Sequence, residues 1–285
     1  MKTLKEIIIE ARQKKSAIGQ FNISTLEAFW AVVRATEKTK QPVIIGLSEG
    51  EMDFFGVKQA RVLVDSVRAE KGLEIFLNAD HVHSLAGARL AMENKFDAIT
   101  FDGSSLSLAE NIKLTRECVA LAKELNSPIL IEGEIGFIGS SSALLTEMPT
   151  GIAIADKMTT ADEAGQFVRE TGVELFAPAI GNIHGLVASG EPKIDAERAR
   201  EIYSATGVPL VLHGGSGLSP TELKAVIEAG VAIVHINSDL RLAWRQGLEK
   251  SLADKPQEIA PYKLLTESVE AMQKIVEEKI KILTN

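Results

Sequence analysis

The sequence has few of the features that mark secreted, membrane or nucleic-acid-binding proteins. Among 285 residues there is one cysteine, Cys118, so no internal disulfide can form. No apolar run approaches the roughly 20 residues needed to span a bilayer. Lys and Arg are scattered without a basic block, and the net charge is −8. We therefore expect a protein of the reducing cytoplasm, with neither a membrane nor nucleic acid as its partner.

The N-terminal stretch "MKTLKEIIIEARQKK" contains early lysines and a short apolar run, as a signal peptide does. Glu6 and Glu10 interrupt that run, however, and no small-residue cleavage site follows it. The stretch therefore predicts an amphipathic helix that belongs to the fold.

Short apolar, β-branched runs alternate along the whole chain with longer helical patterns. Eight runs are typical of strands: residues 17–23, 42–48, 74–80, 96–102, 128–134, 174–180, 209–214 and 232–237. Strict alternation of this kind implies parallel strands with crossover helices. It predicts a single-domain (β/α)8 TIM barrel over residues 1–285. A doubly wound sheet is the main alternative, but its glycine-rich turn after the first strand is absent from "FNISTLEAF".

The connection after the fifth predicted strand, residues 136–158, is unusually long. It is rich in Ser, Gly and Thr and contains few residues suited to a core. Loops of this length inside compact domains are often lids. We therefore predict a lid that is mobile without substrate.

Polar residues collect where the predicted strands end, which is where barrel enzymes place their active sites. All five histidines lie at these ends, and none lies in a predicted helix. The residues at the strand ends are Asn22, Ser48, Asp80, His81, His83, Asp102, Glu132, Glu134, His184, His213, His235, Asn237, Ser238 and Asp239. Neutral imidazole is a common metal ligand, and three histidines with one open position make a catalytic zinc site. The pattern predicts a metal centre at this rim.

Two segments near the C-terminus suit a phosphate group. "HGGSG" (213–217) offers successive backbone N–H groups, and "NSDLRLAW" (237–244) begins a helix whose dipole favours an anion. Phosphate sites after the seventh and eighth strands are frequent in this fold. A plain turn at "GGSG" is the alternative interpretation.

Several motifs together resemble those of the class II, zinc-dependent fructose- and tagatose-bisphosphate aldolases over nearly the whole chain. The matching stretches are "GQFNI", "NADH" (which resembles H-x-D-H), "FDGSSLSLAENI", "IEGEIG", "AIGNIHG" and "LVLHGGSG". The resemblance implies cleavage of a ketose bisphosphate, foremost fructose 1,6-bisphosphate, to dihydroxyacetone phosphate and an aldehyde phosphate. It also implies a homodimer or homotetramer.

The same resemblance implies roles for individual residues. His81, His184 and His213 would bind the catalytic zinc, and Asp80 would move the C4 hydroxyl proton. Asp102 and Glu134 would belong to a second, peripheral metal position. Backbone at Gly185 and Gly214 would hold a monovalent cation, Na⁺ or K⁺. The implied contacts to the substrate and its phosphate are Asn22, Ser48, Gly185, Gly214, Gly215, Ser216, His235, Asn237, Ser238 and Asp239.

Three places depart from the family pattern. Asn78 replaces the first histidine of H-x-D-H. In the eighth-strand motif K-x-N-x-x-T-D, "IVHINSD" places Ile233 at the lysine and His235 at the asparagine. We expect His235 to donate an N–H to a substrate oxygen rather than to become a fourth metal ligand. The lid lacks the acid of G-G-x-E-D, and Glu147, with Asp156 as the alternative, is expected to replace it.

Two other functions stay open at the level of sequence. A metal-dependent hydrolase barrel would use His81 and His83 as an H-x-H pair on one strand face. In such hydrolases, however, this pair usually ends the first strand rather than the third. A non-catalytic sugar-phosphate-binding paralogue would explain the departures in the lid and in the eighth strand.

Overall fold

The computed structural model describes residues 1–136, 138, 144–145, 158–187 and 194–284. The helices of these residues are α1 (Leu4–Gln13), α2 (Leu26–Thr39), α3 (Glu49–Phe55), α4 (Val57–Lys71), α5 (Leu85–Glu93), α6 (Leu108–Glu124), α7 (Ala161–Thr171), α8 (Ala196–Thr206), α9 (Pro220–Ala229), α10 (Ser238–Asp254) and α11 (Pro261–Thr284). The strands are β1 (Ile18–Asn22), β2 (Val43–Ser48), β3 (Ile75–Val82), β4 (Ala98–Asp102), β5 (Leu130–Ile135), β6 (Leu144–Leu145), β7 (Leu175–Pro178), β8 (Leu186–Val187), β9 (Leu210–Leu212) and β10 (Val231–Ile236).

Eight of these strands form a closed parallel barrel in the order β1-β10-β9-β7-β5-β4-β3-β2. Strand β1 pairs with both β2 and β10, so the sheet has no edge. The predicted (β/α)8 barrel is thereby confirmed, and the doubly wound sheet was the wrong alternative. Each predicted strand run overlaps one barrel strand, while β6 and β8 pair only with each other.

The helices begin and end at residues that suit these positions. Ser219 caps α9 in a capping box with Glu222, Pro220 occupies the first turn, and Gly230 follows the last residue. The predicted N-terminal helix is α1, which begins with a capping box at Thr3. Among the described helices, none has the length and apolar character that a membrane crossing requires.

The inner face of the barrel changes from apolar to polar along the strands. Because side chains alternate along a strand, residues two apart share this face. The layer at the N-terminal end is Ile18, Ile44, Phe76, Ala98, Leu130, Leu175, Val211 and Ile233, and it packs against the apolar face of α1. Two residues further along, the same strands carry polar side chains, as at Gln20, Asn78 and Glu132. The polar groups are thereby directed to the C-terminal end of the barrel.

Candidate active site

The C-terminal end of the barrel opens into a cavity of about 480 Å³. The predicted site residues that line it are Asn22, Ser48, Asp80, His81, His83, Asp102, Glu134, His184, Gly185, Gly214, Ser216, His235, Asn237 and Ser238. These residues come from strand ends and loops far apart in the chain. The barrel therefore brings most of the predicted site together.

Three imidazoles form a compact cluster beside this cavity. His81 comes from β3, His184 from the loop after β7, and His213 from the end of β9. Their potential ligand atoms all lie within 4.8 Å of one another. His213 is fully buried, and its Nδ1 has no hydrogen-bond partner among the described residues. A buried nitrogen without a partner, next to two further imidazoles, suits a metal cation.

Burial keeps two of these imidazoles in the neutral form that binds metals. It lowers the pKa of His184 to about 4, with the charge of His81 contributing in the same direction. Burial also holds the pKa of His213 well below its usual value, as do the neighbouring His235 and His81. Each of these neutral rings therefore has one nitrogen lone pair that can bind a cation.

Carboxylates orient two of the imidazoles from behind. His213 Nε2 lies 2.7 Å from Glu132 Oε1, and His81 Nδ1 lies 2.9 Å from Asp102 Oδ2. Such partners fix the ring orientation of metal-binding histidines. They leave His213 Nδ1 and His81 Nε2 to face a cation. Glu132 was among the predicted strand-end residues but had no predicted role, although it is an acid inside the apolar run "PILIEGEI".

The acidic groups make the cluster strongly attractive to positive charge. Burial, followed by repulsion from Asp102 and Asp80, raises the pKa of Glu134 to about 8 despite the nearby His81. Burial alone would lower the pKa of His81, but Asp80, Asp102 and Glu134 outweigh it and raise this pKa to about 10. A bound cation would supply the same compensating charge. His81, Asp102 and Glu134 also have metal-ligand spacing as a group.

The backbone at His81 interrupts the regular strand. Its φ is +50°, a left-handed conformation that is uncommon for residues other than glycine. The pairing of β3 with β4 shifts register between Ala79 and Val82. As a result, simple alternation does not place His83. The His83 side chain is about half exposed and lies 3.3 Å from Glu49, and no group of described residues with metal-ligand spacing includes it.

Asp80 presents one bound and one unbound oxygen. Its Oδ2 accepts a 2.7 Å hydrogen bond from Asn22 Nδ2, whereas its Oδ1 has no hydrogen-bond partner in the described part of the chain. Burial opposes ionisation, but His81 and His235 outweigh it and hold the pKa of Asp80 well below its usual value. The Oδ1 atom is buried and lies 3.3 Å from His235 Nδ1. An ionised carboxylate at this position is suited to accept a proton.

The turn after β9 is built around a glycine that no other residue can replace easily. Gly214 has a φ of +66°, and a Cβ there would lie 2.1 Å from the carbonyl oxygen of Ile183. Ser216 and Ser238 line the cavity beside the first turn of α10. This end of the cavity therefore has the features of an anion site.

Two predicted phosphate contacts are directed elsewhere. The N–H of Gly215 donates to the carbonyl of His235 at 2.9 Å. The Asp239 carboxylate lies 2.8 Å from the ammonium of Lys279, and its negative charge would repel a phosphate. Neither residue lines the cavity. Both groups therefore already have partners within the fold, and their contacts with a phosphate stay predictions.

Comparison with known proteins identifies the family. The model of the family "Fructose-bisphosphate aldolase class-II" matches residues 2–285. The chain belongs to the class II fructose-bisphosphate aldolase family. A 6-phospho-5-dehydro-2-deoxy-D-gluconate aldolase of Shouchella clausii is 34% identical, covering 96% of this chain and 92% of its own. A fructose-bisphosphate aldolase of Staphylococcus aureus is 30% identical, covering 98% of this chain and 96% of its own.

Solved structures agree with this assignment. The crystal structure of the YdjI aldolase from Escherichia coli K12 matches with a TM-score of 0.82 at 26% identity. The match covers 99% of this chain and 97% of that chain. The protein is thus similar, over its whole length, to aldolases whose names give different substrates. Family membership makes it an aldolase, but it does not identify the substrate.

Two departures of this aldolase from the family pattern are joined by hydrogen bonds. Asn78 Nδ2 donates to Gln20 Oε1 at 3.0 Å, and Gln20 Nε2 lies 3.1 Å from His235 Nδ1. His235 Nδ1 also lies 3.3 Å from Asp80 Oδ1, so the ring contacts both neighbours through this nitrogen and leaves Nε2 on its other side. That Nε2 is buried without a partner among the described residues. This aldolase therefore lacks the family's histidine at position 78 but has a histidine at position 235, on another strand of the barrel.

Little of the predicted lid is described. Ile138 lines the cavity, and its carbonyl accepts a 2.9 Å hydrogen bond from the His184 N–H. Glu147 and Asp156, the two candidates for the missing acid, lie outside the described residues. The lid over residues 136–158 and the role of Glu147 therefore stay predictions.

Proposed function

We propose that the protein catalyses the reversible aldol cleavage of a ketose phosphate to dihydroxyacetone phosphate and an aldehyde, with one zinc ion per chain. The observation that carries this proposal is a single cavity that combines a three-imidazole cluster, Asp80 with one unbound oxygen, and the first turn of α10. Fructose 1,6-bisphosphate is the first proposed substrate. The sugar acid in the name of the Shouchella clausii relative is the second.

The metal proposal follows from the donor set. Three imidazoles with an open position are the ligands of a catalytic zinc ion, and His81, His184 and His213 would hold it. When bound, zinc would act as a Lewis acid on the oxygens next to the breaking carbon–carbon bond. We further propose Asp102 and Glu134 for a peripheral metal position. Backbone at Gly185 and Gly214 is proposed to hold a monovalent cation.

The protein's own groups would move the protons and hold the substrate. Asp80 would accept the C4 hydroxyl proton as the C3–C4 bond breaks and its electron pair passes to C3. His235 Nε2–H would donate to a substrate oxygen. The new carbanion at C3 would then take a proton from the lid, where Glu147 is the proposed acid. Ser216 and Ser238, together with the N-terminus of α10, would hold the phosphate.

Three observations weigh against other functions. Among the described residues that line the cavity there is no lysine, and a class I aldolase needs a lysine to form its Schiff base. A hydrolase using His81 and His83 is not supported, because His83 belongs to no group with metal-ligand spacing in the described ranges. The unbound oxygen of Asp80 favours an enzyme over a non-catalytic binding paralogue.

The test combines metal analysis with a substrate panel. The purified protein would be loaded with zinc and assayed for release of dihydroxyacetone phosphate from ketose monophosphates, ketose bisphosphates and 6-phospho-5-dehydro-2-deoxygluconate. We expect about one zinc per chain and loss of activity after chelation. Zinc-loaded protein that releases no dihydroxyacetone phosphate from any of them would contradict the proposal. Light scattering of the same samples would test the homodimer or homotetramer that we propose from the family.

A further inference from the structure

Glu51 is a buried acid on α3 that stands behind the wall of the catalytic cavity. We propose that it is a positioning residue, which holds Asn22 in place against Asp80. The expected change in kcat rests on the proposed aldol cleavage, whereas the expected change in the distance between Asn22 and Asp80 does not. The proposal concerns a residue to which the family resemblance assigned no role.

The Glu51 carboxylate has hydrogen-bond donors on both oxygens. Oε2 accepts from the Ser48 N–H and the Ser48 hydroxyl, each at 2.9 Å, and from Asn22 Nδ2 at 3.0 Å. Oε1 accepts from Arg241 Nη2 at 2.9 Å. All three partner residues line the catalytic cavity, whereas Glu51 itself does not. One carboxylate thus ties together the ends of β1 and β2 and the first turn of α10.

Asn22 is the partner through which Glu51 reaches the chemistry. The amide nitrogen of Asn22 has two hydrogens, and it lies 3.0 Å from Glu51 Oε2 and 2.7 Å from Asp80 Oδ2. Both hydrogens are therefore used. The remaining side-chain contact, from Gln20 Nε2 to Asn22 Oδ1, is long at 3.5 Å. Glu51 and Asp80 thus fix the amide from its two sides, and this fixed amide holds Oδ2 of Asp80.

Arg241 gives Glu51 a second link to the same wall. It is the one Lys or Arg side chain that lines the cavity among the described residues, and it is about half exposed. Glu51 offsets part of its charge and holds one end of the guanidinium away from the imidazoles. Arg241 contacts Oε1 of Glu51, whereas Asn22 contacts Oε2. The two links can therefore be separated by mutation.

The substitution Glu51→Gln keeps the size of the side chain but removes half of its acceptors. The new amide group must place its NH₂ either toward Asn22 and Ser48 or toward Arg241. With its NH₂ toward Asn22 and Ser48, buried donors meet a donor. With its NH₂ toward Arg241, which is half exposed, the oxygen that remains for Asn22 is neutral and accepts more weakly than a carboxylate oxygen. We expect the Asn22 amide to turn or withdraw from Asp80, and kcat to fall by about tenfold because proton transfer depends on positioning.

The matched control is Glu49→Gln, two residues earlier in the same helix. Glu49 is partly exposed and contacts His83 rather than Asn22. We expect its kcat to stay within about twofold of wild type. Zinc content should be unchanged in both variants, because neither acid contacts a proposed zinc ligand. A loss of zinc in the Glu51→Gln variant would overturn the proposal.

A double-mutant cycle distinguishes positioning from general destabilisation. Glu51→Gln would be compared in the wild-type and Asn22→Ala backgrounds, and again in the Arg241→Gln background. We expect its effect on kcat to shrink to less than about twofold without Asn22, and to persist without Arg241. An equal loss of kcat in all backgrounds would overturn the proposal and leave Glu51 a structural role only.

A crystal structure of the Glu51→Gln variant gives a readout that needs no substrate. We expect the distance from Asn22 Nδ2 to Asp80 Oδ2 to exceed about 3.5 Å, the limit of a hydrogen bond, or the Asn22 amide to be rotated. If the wild type cleaves no ketose phosphate, the proposed function fails, and this distance alone decides the positioning role. If Glu51→Gln does not fold, Glu51→Asp, whose shorter side chain cannot reach all four donors, would be used for both readouts. A retained 2.7 Å contact in the variant, as in the wild type, would overturn the proposal.

Discussion

The polar side chains of this site each have one atom bound to the protein and one atom left for a ligand. In His213, Glu132 holds Nε2 while Nδ1 has no partner in the described chain. In His235, Gln20 lies against Nδ1 while Nε2 has no partner among the same residues. In Asp80, Asn22 holds one oxygen and the other is unbound. Since a buried polar atom without a partner is costly, these atoms mark where metal and substrate are expected to bind.

Removing one imidazole of the cluster should remove the metal. We expect His213→Ala to lose its zinc and all measurable cleavage, because two ligands cannot hold the ion as three do. Metal content would be measured by mass spectrometry after dialysis. His83→Ala is the control and should keep about one zinc per chain. The reverse result, zinc lost with His83 and kept without His213, would favour the hydrolase-like arrangement.

Replacing Asp80 should separate metal binding from catalysis. We expect Asp80→Asn to keep its zinc, because Asp80 is not among the three proposed ligands. Its turnover should fall by about 10²–10⁴-fold, as for other positioned proton-transfer groups. Steady-state kinetics on a ketose bisphosphate would measure this. A variant with the turnover of wild type would remove Asp80 from the proposed mechanism.

His235 should act on the substrate rather than on the metal. We expect His235→Ala to keep stoichiometric zinc but to raise KM or lower turnover, because a buried N–H donor is lost. His235→Asn should recover part of the loss, since an amide also donates. Kinetics and metal analysis of both variants would be compared. A crystal structure with a His235 nitrogen about 2.0–2.1 Å from zinc, and no open coordination position, would contradict this role.

At the scale of residues, the sequence identified the strand-end groups better than the residues that support them. Asp80 and His213 could be found because they follow apolar runs. Glu51 and Gln20 could not, because most of the partners that join them to the site lie far away in the chain. Arg241, for example, is 190 positions after the Glu51 that it contacts. Hydrogen-bond partners of this kind become visible only once the barrel is closed.

At the scale of elements, the turn between β9 and α9 should tolerate no side chain at Gly214. We expect Gly214→Ala to cost at least about 1–3 kcal/mol of unfolding free energy, because its φ is positive and its Cβ would collide with backbone. Gly50→Ala is the control. Gly50 lies in α3, where an added methyl group would have no other atom within 4 Å, and alanine there should be neutral or stabilising by up to about 1 kcal/mol. Urea unfolding would measure both, and equal stabilities would contradict the argument.

The eight barrel strands could be predicted from their apolar, β-branched runs, whereas the short strands β6 and β8 were not predicted. The predicted bounds differ from the structure by a few residues, most notably at β3. Strand β3 was predicted to end at Asp80, but it continues to Val82 through the left-handed residue His81. No residue in "NADHVH" signals this irregularity, because the left-handed conformation is imposed by the surrounding contacts. The local direction of His81 and His83 therefore could not be derived from alternation alone.

At the scale of the whole molecule, α1 closes the N-terminal end of the barrel. Its buried residues pack against the apolar inner layer of the strands. Arg12 fastens the helix by a 2.8 Å hydrogen bond to the carbonyl of Ile227, at the end of α9. The sequence predicted an amphipathic helix here, but it could not show that the apolar face covers the barrel floor, because that surface comes from all eight strands.

The packing of α1 against the barrel can be tested with two isoleucines of this helix. Ile7 is 3% exposed and Ile9 is 48% exposed. We expect Ile7→Ala to lower the free energy of unfolding by about 2–5 kcal/mol, because it leaves a cavity in the core. Ile9→Ala should change it by no more than about 0.5 kcal/mol. Urea denaturation of the two variants would be compared, and similar losses would show that α1 does not bury this face.

The position of α1 also sets an order of events on the ribosome. This helix is made before the strands that it packs against: its docking surface includes Ile233 of β10, and Arg12 binds the carbonyl of Ile227. At about 5–20 residues per second, roughly ten seconds or more of synthesis separate the helix from its partner surface. During that time its apolar face has no native place to bind, so the nascent chain offers an early site for a chaperone. The last strand therefore completes the barrel wall and its floor in the same step.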